Sequence, residues 1–192
     1  MAYATLAELK AYLGITGTTD DMLLTDLLVR SQAIIDAATQ RTFEATADST
    51  RYLDAVEDVD GRVLWLDRVG DLAQITSITN GDGSSVASSE YVTEPRNQAP
   101  YYAIQLKASS SVAWTYSDSP ENAIAITGRW AYSVTPPDDI VHACIRLAAY
   151  LYRQKDNATD LDRPVIAGNV TLLPAQLPAD IQSLLAPYRR WH

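Results

Sequence analysis

Between Gly128 and Ile140 the chain passes from an apolar strand through Pro136 and Pro137 into a long amphipathic helix. This junction constrains the fold more than any other feature, because a strand repeats its burial every second residue and a helix every 3.6. Upstream, Ala123, Ile124, Ala125, Ile126 and Thr127 read as strand. Downstream, Ile140, Cys144, Leu147, Ala148 and Leu151 recur at helical spacing, with Arg153 and Lys155 in the last turn. Two architectures therefore meet within one chain.

The N-terminal part is helical. Thr5 and Glu8 have the spacing of a capping box, Leu6, Leu9 and Leu13 form one stripe, and Gly14 stops the helix. After Gly17, Thr18 and Thr19, a second helix opens with Asp20 and Asp21 at its positive end and carries Leu24, Leu27, Leu28, Ile34, Ile35 and Ala38 on one side. It ends near residues 40–43. Two such helices should pack against each other, but their combined apolar surface is too small for an independent core and requires the later helices.

From about Ala45, Ser, Thr, Asp and Gly increase and short β-rich runs replace the helical period. Strands are expected at residues 51–53, 63–66, 74–79, 91–92, 103–106, 111–116 and 123–130. Asn80 and Gly81 predict a tight hairpin. Residues 93–100 contain two prolines and read as an exposed loop. Trp114 with Tyr116, and Trp130 with Tyr132, lie two apart, so each pair is expected on one strand face, packed into the sheet core. After the Pro136–Pro137 helix, a linker from Asp156 passes Pro164, Gly168 and Pro174. Pro178 then begins a last helix with Ile181, Leu184, Leu185 and Tyr188 on one side. The expected class is α+β: a helical bundle built from both ends of the chain, residues 1–45 and 133–192, with a long antiparallel β insertion at 46–132.

Composition removes several classes of function. The 192 residues are 47% hydrophobic, enough for a buried core, and a net charge of -9 opposes coating of nucleic acid by phosphate neutralisation. No apolar run reaches the ~18 residues of a membrane span. No basic stretch precedes a hydrophobic one at the N-terminus, so a soluble cytoplasmic start is expected. The single cysteine, Cys144, cannot form an internal disulfide and falls on an apolar helix face.

Candidates for chemistry are sparse. His142 and His192 have no Cys, Asp or Glu at ligand spacing. Ser84 and Ser85, and residues 109–111, lie in turn contexts without a nucleophile elbow. Asp54, Glu57, Asp58 and Asp60 crowd one stretch and read as a solvated acidic loop, with paired carboxylates or a cation site as the alternative. No catalytic residue, cofactor site or metal site is assigned. The C-terminal Tyr188, Arg189, Arg190 and Trp191 combine residue types that anchor interfaces. Docking to a partner and packing on the chain's own body are both open for them.

Several segments, taken in order, resemble the head-tail connector proteins (head-completion or adaptor proteins) of long-tailed double-stranded DNA bacteriophages and related prophage particles. They are residues 9–15 and 19–24, then 33–43 ending in Arg41, Thr42 and Phe43. Residues 75–78, 81–83 and 90–92 follow, then 128–140, 150–153 and 184–190. The likeness spans nearly the whole chain through short motifs. It departs at Ala131, where a glycine is expected before Tyr132, and in the length of the β insertion.

The resemblance implies a structural adaptor of the virion neck and no enzyme. Copies would join as a ring of roughly twelve under the portal protein after DNA packaging. The ring would extend the DNA channel and dock a stopper or tail-completion protein, with Tyr188, Arg189, Arg190 and Trp191 reaching the portal. DNA would pass the acidic lumen without specific binding. Assembly would take place in the host bacterial cytoplasm, with no membrane involved. The alternatives are a monomeric carbohydrate- or protein-binding module using sheet aromatics, a small hydrolase using the acidic stretch, and a stopper or tail-completion protein.

Overall fold

Thr5 caps helix α1 (Leu6–Leu13) as its spacing requires. Its hydroxyl accepts the Glu8 backbone N–H at 3.2 Å, while the Glu8 carboxylate accepts the Thr5 N–H at 2.7 Å. That backbone bond, with help from the Thr5 hydroxyl, holds the Glu8 carboxyl below its ordinary range. Gly14 closes the helix at φ 70. The computed structural model describes residues 2–154, 165–167, 170–172 and 177–190. The chain divides into two compact units, Met1–Gln40 with Pro137–His192, and Arg41–Pro136. Lys155, most of the linker after it, Trp191 and His192 lie outside the described residues.

In the first unit, α1 is followed by α2 (Asp21–Thr39), α3 (Asp138–Gln154) and α4 (Ala179–Leu185), with a short 3₁₀ turn at Ala186–Tyr188. Helix α3 packs against each of the other three. The apolar stripes read from the sequence face inward: Leu9, Leu24, Leu27, Leu28, Ile35, Ile140, Cys144, Leu147, Ala148, Ile181 and Leu185 are buried. The buried hydroxyls of Ser31 and Thr39 donate to the carbonyls of Leu27 and Ile35, so neither is left unsatisfied. Asp21 pairs with Lys10 of α1 at 2.6 Å, and Asp20 accepts the Tyr152 hydroxyl from α3.

The second unit is antiparallel β. Strands β1 (Ser49–Leu53), β7 (Ile124–Arg129) and β4 (Gln74–Thr79) form one sheet with β7 in the middle. A second sheet runs β2 (Val59–Asp60), β3 (Val63–Trp65), β6 (Ala103–Leu106) and β5 (Tyr91–Glu94). Inward residues of both sheets join one cluster, including Leu53, Ile78, Ile124 and Ile126 from the first and Leu64, Ile104 and Leu106 from the second. Trp130 and Trp114 belong to it, and each satisfies its indole N–H on a backbone carbonyl, Ser49 at 3.0 Å and Arg62 at 3.1 Å. The chain's entry and exit from this unit are tied together: the Tyr132 N–H donates to Thr42 at 2.8 Å and the Ser133 hydroxyl to Phe43 at 3.0 Å.

Several local expectations fail for identifiable reasons. Residues 111–116 form no strand beyond one bridge at Tyr116. They are held instead by the buried Asn80 side chain, whose amide donates to Ala113 O at 2.8 Å and whose oxygen accepts the Thr115 N–H at 3.2 Å. Tyr116 is therefore exposed while Trp114 is buried, and the two do not share a strand face. The chain does reverse tightly here, with Thr79 bridging Ser85 and the Asn80 N–H donating to Ser84 at 2.8 Å, but the positive φ falls at Gly83 and not at Asn80 or Gly81. Gly81 is required for close approach instead, since a Cβ there would lie 2.4 Å from Thr115 O. Thr93 and Glu94 extend β5 because they complete its pairing with Ile104 and Ala103, and the ladder stops only at Pro95. Strand β2 has two residues, too few to show alternation in sequence. The same holds for a hairpin of β8 (Val165–Ala167) and β9 (Val170–Leu172), found where an aperiodic linker is expected.

Gly128 lies opposite both Ser49 and Ile75 in the central strand, and an added Cβ would sit 2.1 Å from Gln74 O. Backbone cannot yield as a side-chain tip can. Gly128→Ala should therefore lower stability by about 1–3 kcal/mol in urea denaturation of the full chain. Burial pushes the Cys144 thiol up to about 12, so the native chain should resist a thiol reagent until denaturant is added. Because the folded thiol titrates higher than an unfolded one, its contribution to stability is intact below 9.0 and is lost as pH climbs towards 12. Cys144→Ala should weaken the alkaline decline of the thermal midpoint.

Candidate functional site

The C-terminal segment is anchored to its own unit. Tyr188 ends the 3₁₀ turn, half-buried, with its hydroxyl 3.4 Å from Asp139 at the start of α3. The Arg190 N–H donates to the Thr39 carbonyl at 3.0 Å, satisfying a backbone acceptor at the end of α2, where Gln40 turns left-handed at φ 56. Arg189, between them, is exposed. Of the four residues singled out in sequence, the structure thus brings Tyr188 and Arg190 onto the helices and leaves Arg189 facing outward. Trp191 lies outside the described residues.

The acidic stretch is an ordered turn whose Glu57 and Asp60 are exposed, as a solvated loop would have them, and whose Asp58 is not. Asp54 accepts the backbone N–H groups of Val56 at 2.7 Å and Glu57 at 3.0 Å, and these bonds hold its carboxyl below the ordinary range. Asp58 is buried, accepts the Asp54 N–H at 2.8 Å, and lies 3.4 Å from the Arg68 guanidinium. Glu57 meets the same guanidinium at 2.7 Å. Only Asp60 has no part in this knot. Such an arrangement stabilises a bend; its oxygens face backbone donors and one arginine instead of converging on a common point. Among the described residues, no group of three or more His, Cys, Asp or Glu side chains is placed to hold a metal ion.

The remaining candidates are also accounted for locally. His142 is exposed on α3. The Ser84 backbone N–H and hydroxyl donate to Asp82 at 2.9 and 2.6 Å, and Ser110 accepts the Val112 N–H at 3.0 Å. Arg41 pairs with Asp71 at 2.6 Å and lies over the Tyr132 ring, which in turn packs against Phe43.

A binding platform made of Trp114 or Trp130 is ruled out by their burial. The aromatics that do reach solvent are others. Trp65 of β3 and Tyr102 beside β6 stack at 6.2 Å between centroids and 11°, and stay 40% and 47% exposed. On the helical unit, Tyr12, Met22, Val29 and Tyr150 are exposed. Sequence reasoning misses these because outward positions carry no periodic signal of their own.

No protein-family model matches the sequence, and no curated protein matches it. Solved structures do share its fold. The chain is similar to one in the neck of an empty gene transfer agent (GTA) particle computed with C6 symmetry, with TM-score 0.58 and 17% identity over 99% of this chain and 91% of that one. It is also similar to a chain in the virion of the native GTA particle, with TM-score 0.56 and 19% identity over the same shares. The likeness establishes a common α+β fold across both units.

Because Asp58 is buried and supports the Asp54 backbone, Asp58→Ala should behave as a folding defect. Leaving that N–H without its acceptor should cost about 1–3 kcal/mol in chemical denaturation, with the transition still cooperative.

Proposed function

We propose that this chain is a structural adaptor in the neck of a phage-like particle. Copies join as a ring beneath the portal protein after DNA is packaged, extend the DNA channel and present a surface to a stopper or tail-completion protein. The ring follows the portal's symmetry with roughly twelve copies, each using one surface to meet the next. No bond is made or broken. The observation that carries this reading is the fold it shares with a chain of a GTA particle neck, running over 99% of the residues and through both units at a TM-score of 0.58. The ordered motifs of the connector family support it independently. So does the acidic balance, 24 acidic against 15 basic residues, which keeps a passing polyanion mobile.

The C-terminal tail is the proposed portal contact, and Arg189 is its most informative residue. Removing everything after Ala186 would also delete the bonds of Tyr188 and Arg190 to Asp139 and Thr39. Among the described residues the exposed Arg189 side chain has no hydrogen-bond or ion-pair partner, so its charge can be reversed with little effect on folding, within ~0.5 kcal/mol. In electron micrographs of the purified protein mixed with its portal, the native chain should appear as a ring on the portal's lower face. Arg189→Glu should weaken attachment at least tenfold while circular dichroism stays unchanged. A solitary monomer beside bare portals would overturn the adaptor reading, and full attachment of the variant would move the contact elsewhere.

A further inference from the structure

Helix α2 is apolar on two opposite sides. Leu24, Leu27, Leu28 and Ile35 face the core. On the other side Met22, Val29 and Ala33 follow at intervals of about two turns and one turn, so they share a face. Met22 is 85% exposed and Val29 55%. Exposed apolar side chains on the side away from the core mark a surface that another body can cover, and nothing among the described residues of the unit covers this one. The outer face also carries the exposed Asp26 and, one turn on, the exposed Arg30, neither with an ion-pair partner among the described residues.

A second surface of the same unit has the complementary character. Helices α1, α3 and α4 border a cleft of about 120 Å³ whose lining includes Tyr12, Ala149, Tyr150, Arg153 and Ile181. Tyr12 and Tyr150 are 46% and 38% exposed. Arg153 is exposed and, among the described residues, lacks an acidic partner, whereas Arg146 on the cleft's edge is already paired with Asp180. No residue of α2 lines this cleft. Among the described residues, one unit thus carries an apolar ridge on which Asp26 and Arg30 are unpaired and, separately, an aromatic cleft on which Arg153 is unpaired.

We propose that these two surfaces are the contact between neighbouring copies: α2 of one copy lays Met22 and Val29 into the Tyr12–Tyr150 cleft of the next, and Asp26 meets the neighbour's Arg153. Two different patches that fit each other make a head-to-tail contact, the kind that closes into a ring, whereas a self-complementary patch stops at a dimer. The inference rests on the ring assembly proposed above and names the surfaces that seal it.

Charge reversal tests it with full-length protein, alone and with its portal, by mass photometry and electron microscopy. Both positions are exposed, so Asp26→Arg and Arg153→Glu should keep the native circular dichroism spectrum. Each variant alone should need at least about tenfold more protein to assemble, because like charges then face each other at every contact. An equimolar mixture of the two should recover rings, since alternating copies restore an opposite pair at each interface. If the native chain assembles and the single variants assemble equally well, this interface is wrong and the ring reading survives. Should the native chain stay monomeric with and without the portal, both fall together.

Discussion

The central position of β7 is the constraint on which the β unit depends. Its Ile124 and Ile126 point into the shared cluster while its backbone pairs on both edges, to β1 and β4. Gly128 follows them on the buried side, where the Gln74 carbonyl leaves no room for a methyl group. The strand then delivers Trp130 into the core and Tyr132 onto Phe43. Backbone and hydroxyl bonds from Tyr132 and Ser133 to Thr42 and Phe43 close the insertion at its base. An inserted domain needs its ends held near each other, and here the residues just after the last strand hold them.

The helical unit solves a different problem. Its first two helices cannot bury their stripes against each other alone, so α3 supplies the common surface for α1, α2 and α4. Polar groups drawn into that packing are matched individually: Ser31 and Thr39 by carbonyls of their own helix, and Asp36 by the Tyr3 hydroxyl at 2.5 Å. Burial nevertheless raises the Asp36 carboxyl above its ordinary range, outweighing that bond. The outer side of α2 keeps apolar residues that this unit does not use, which is why the proposed assembly turns on it.

The helices were legible because each declares its period and its ends. Thr5 with Glu8, Gly14, the Pro136–Pro137 start and the stripes of Leu and Ile are local signals, and local packing agrees with them. The β unit was legible in kind and only partly in detail. Residues 111–116 have the composition of a strand, yet a single buried side chain, Asn80, takes the backbone groups that a ladder would have used. The acidic stretch is solvated at Glu57 and Asp60, but a run of carboxylates in sequence does not reveal that Asp58 folds inward onto the Asp54 backbone. The tail showed its interface-forming residue types, but its anchoring through a main-chain bond from Arg190 to Thr39 has no side-chain signature.

The sequence by itself determined the α+β class, the return from strand to helix after Gly128, the inward faces of the helices and the inert position of Cys144. These follow from hydrophobic period, capping and turn chemistry over a few residues. Only the tertiary structure decided which strands pair, which tryptophans are buried, where the glycines are irreplaceable, and that the Met22–Val29 side of α2 and the Tyr12–Tyr150 cleft both face outward. Those outcomes depend on residues brought together from distant points of the chain, and no local pattern encodes the partner that a side chain will meet.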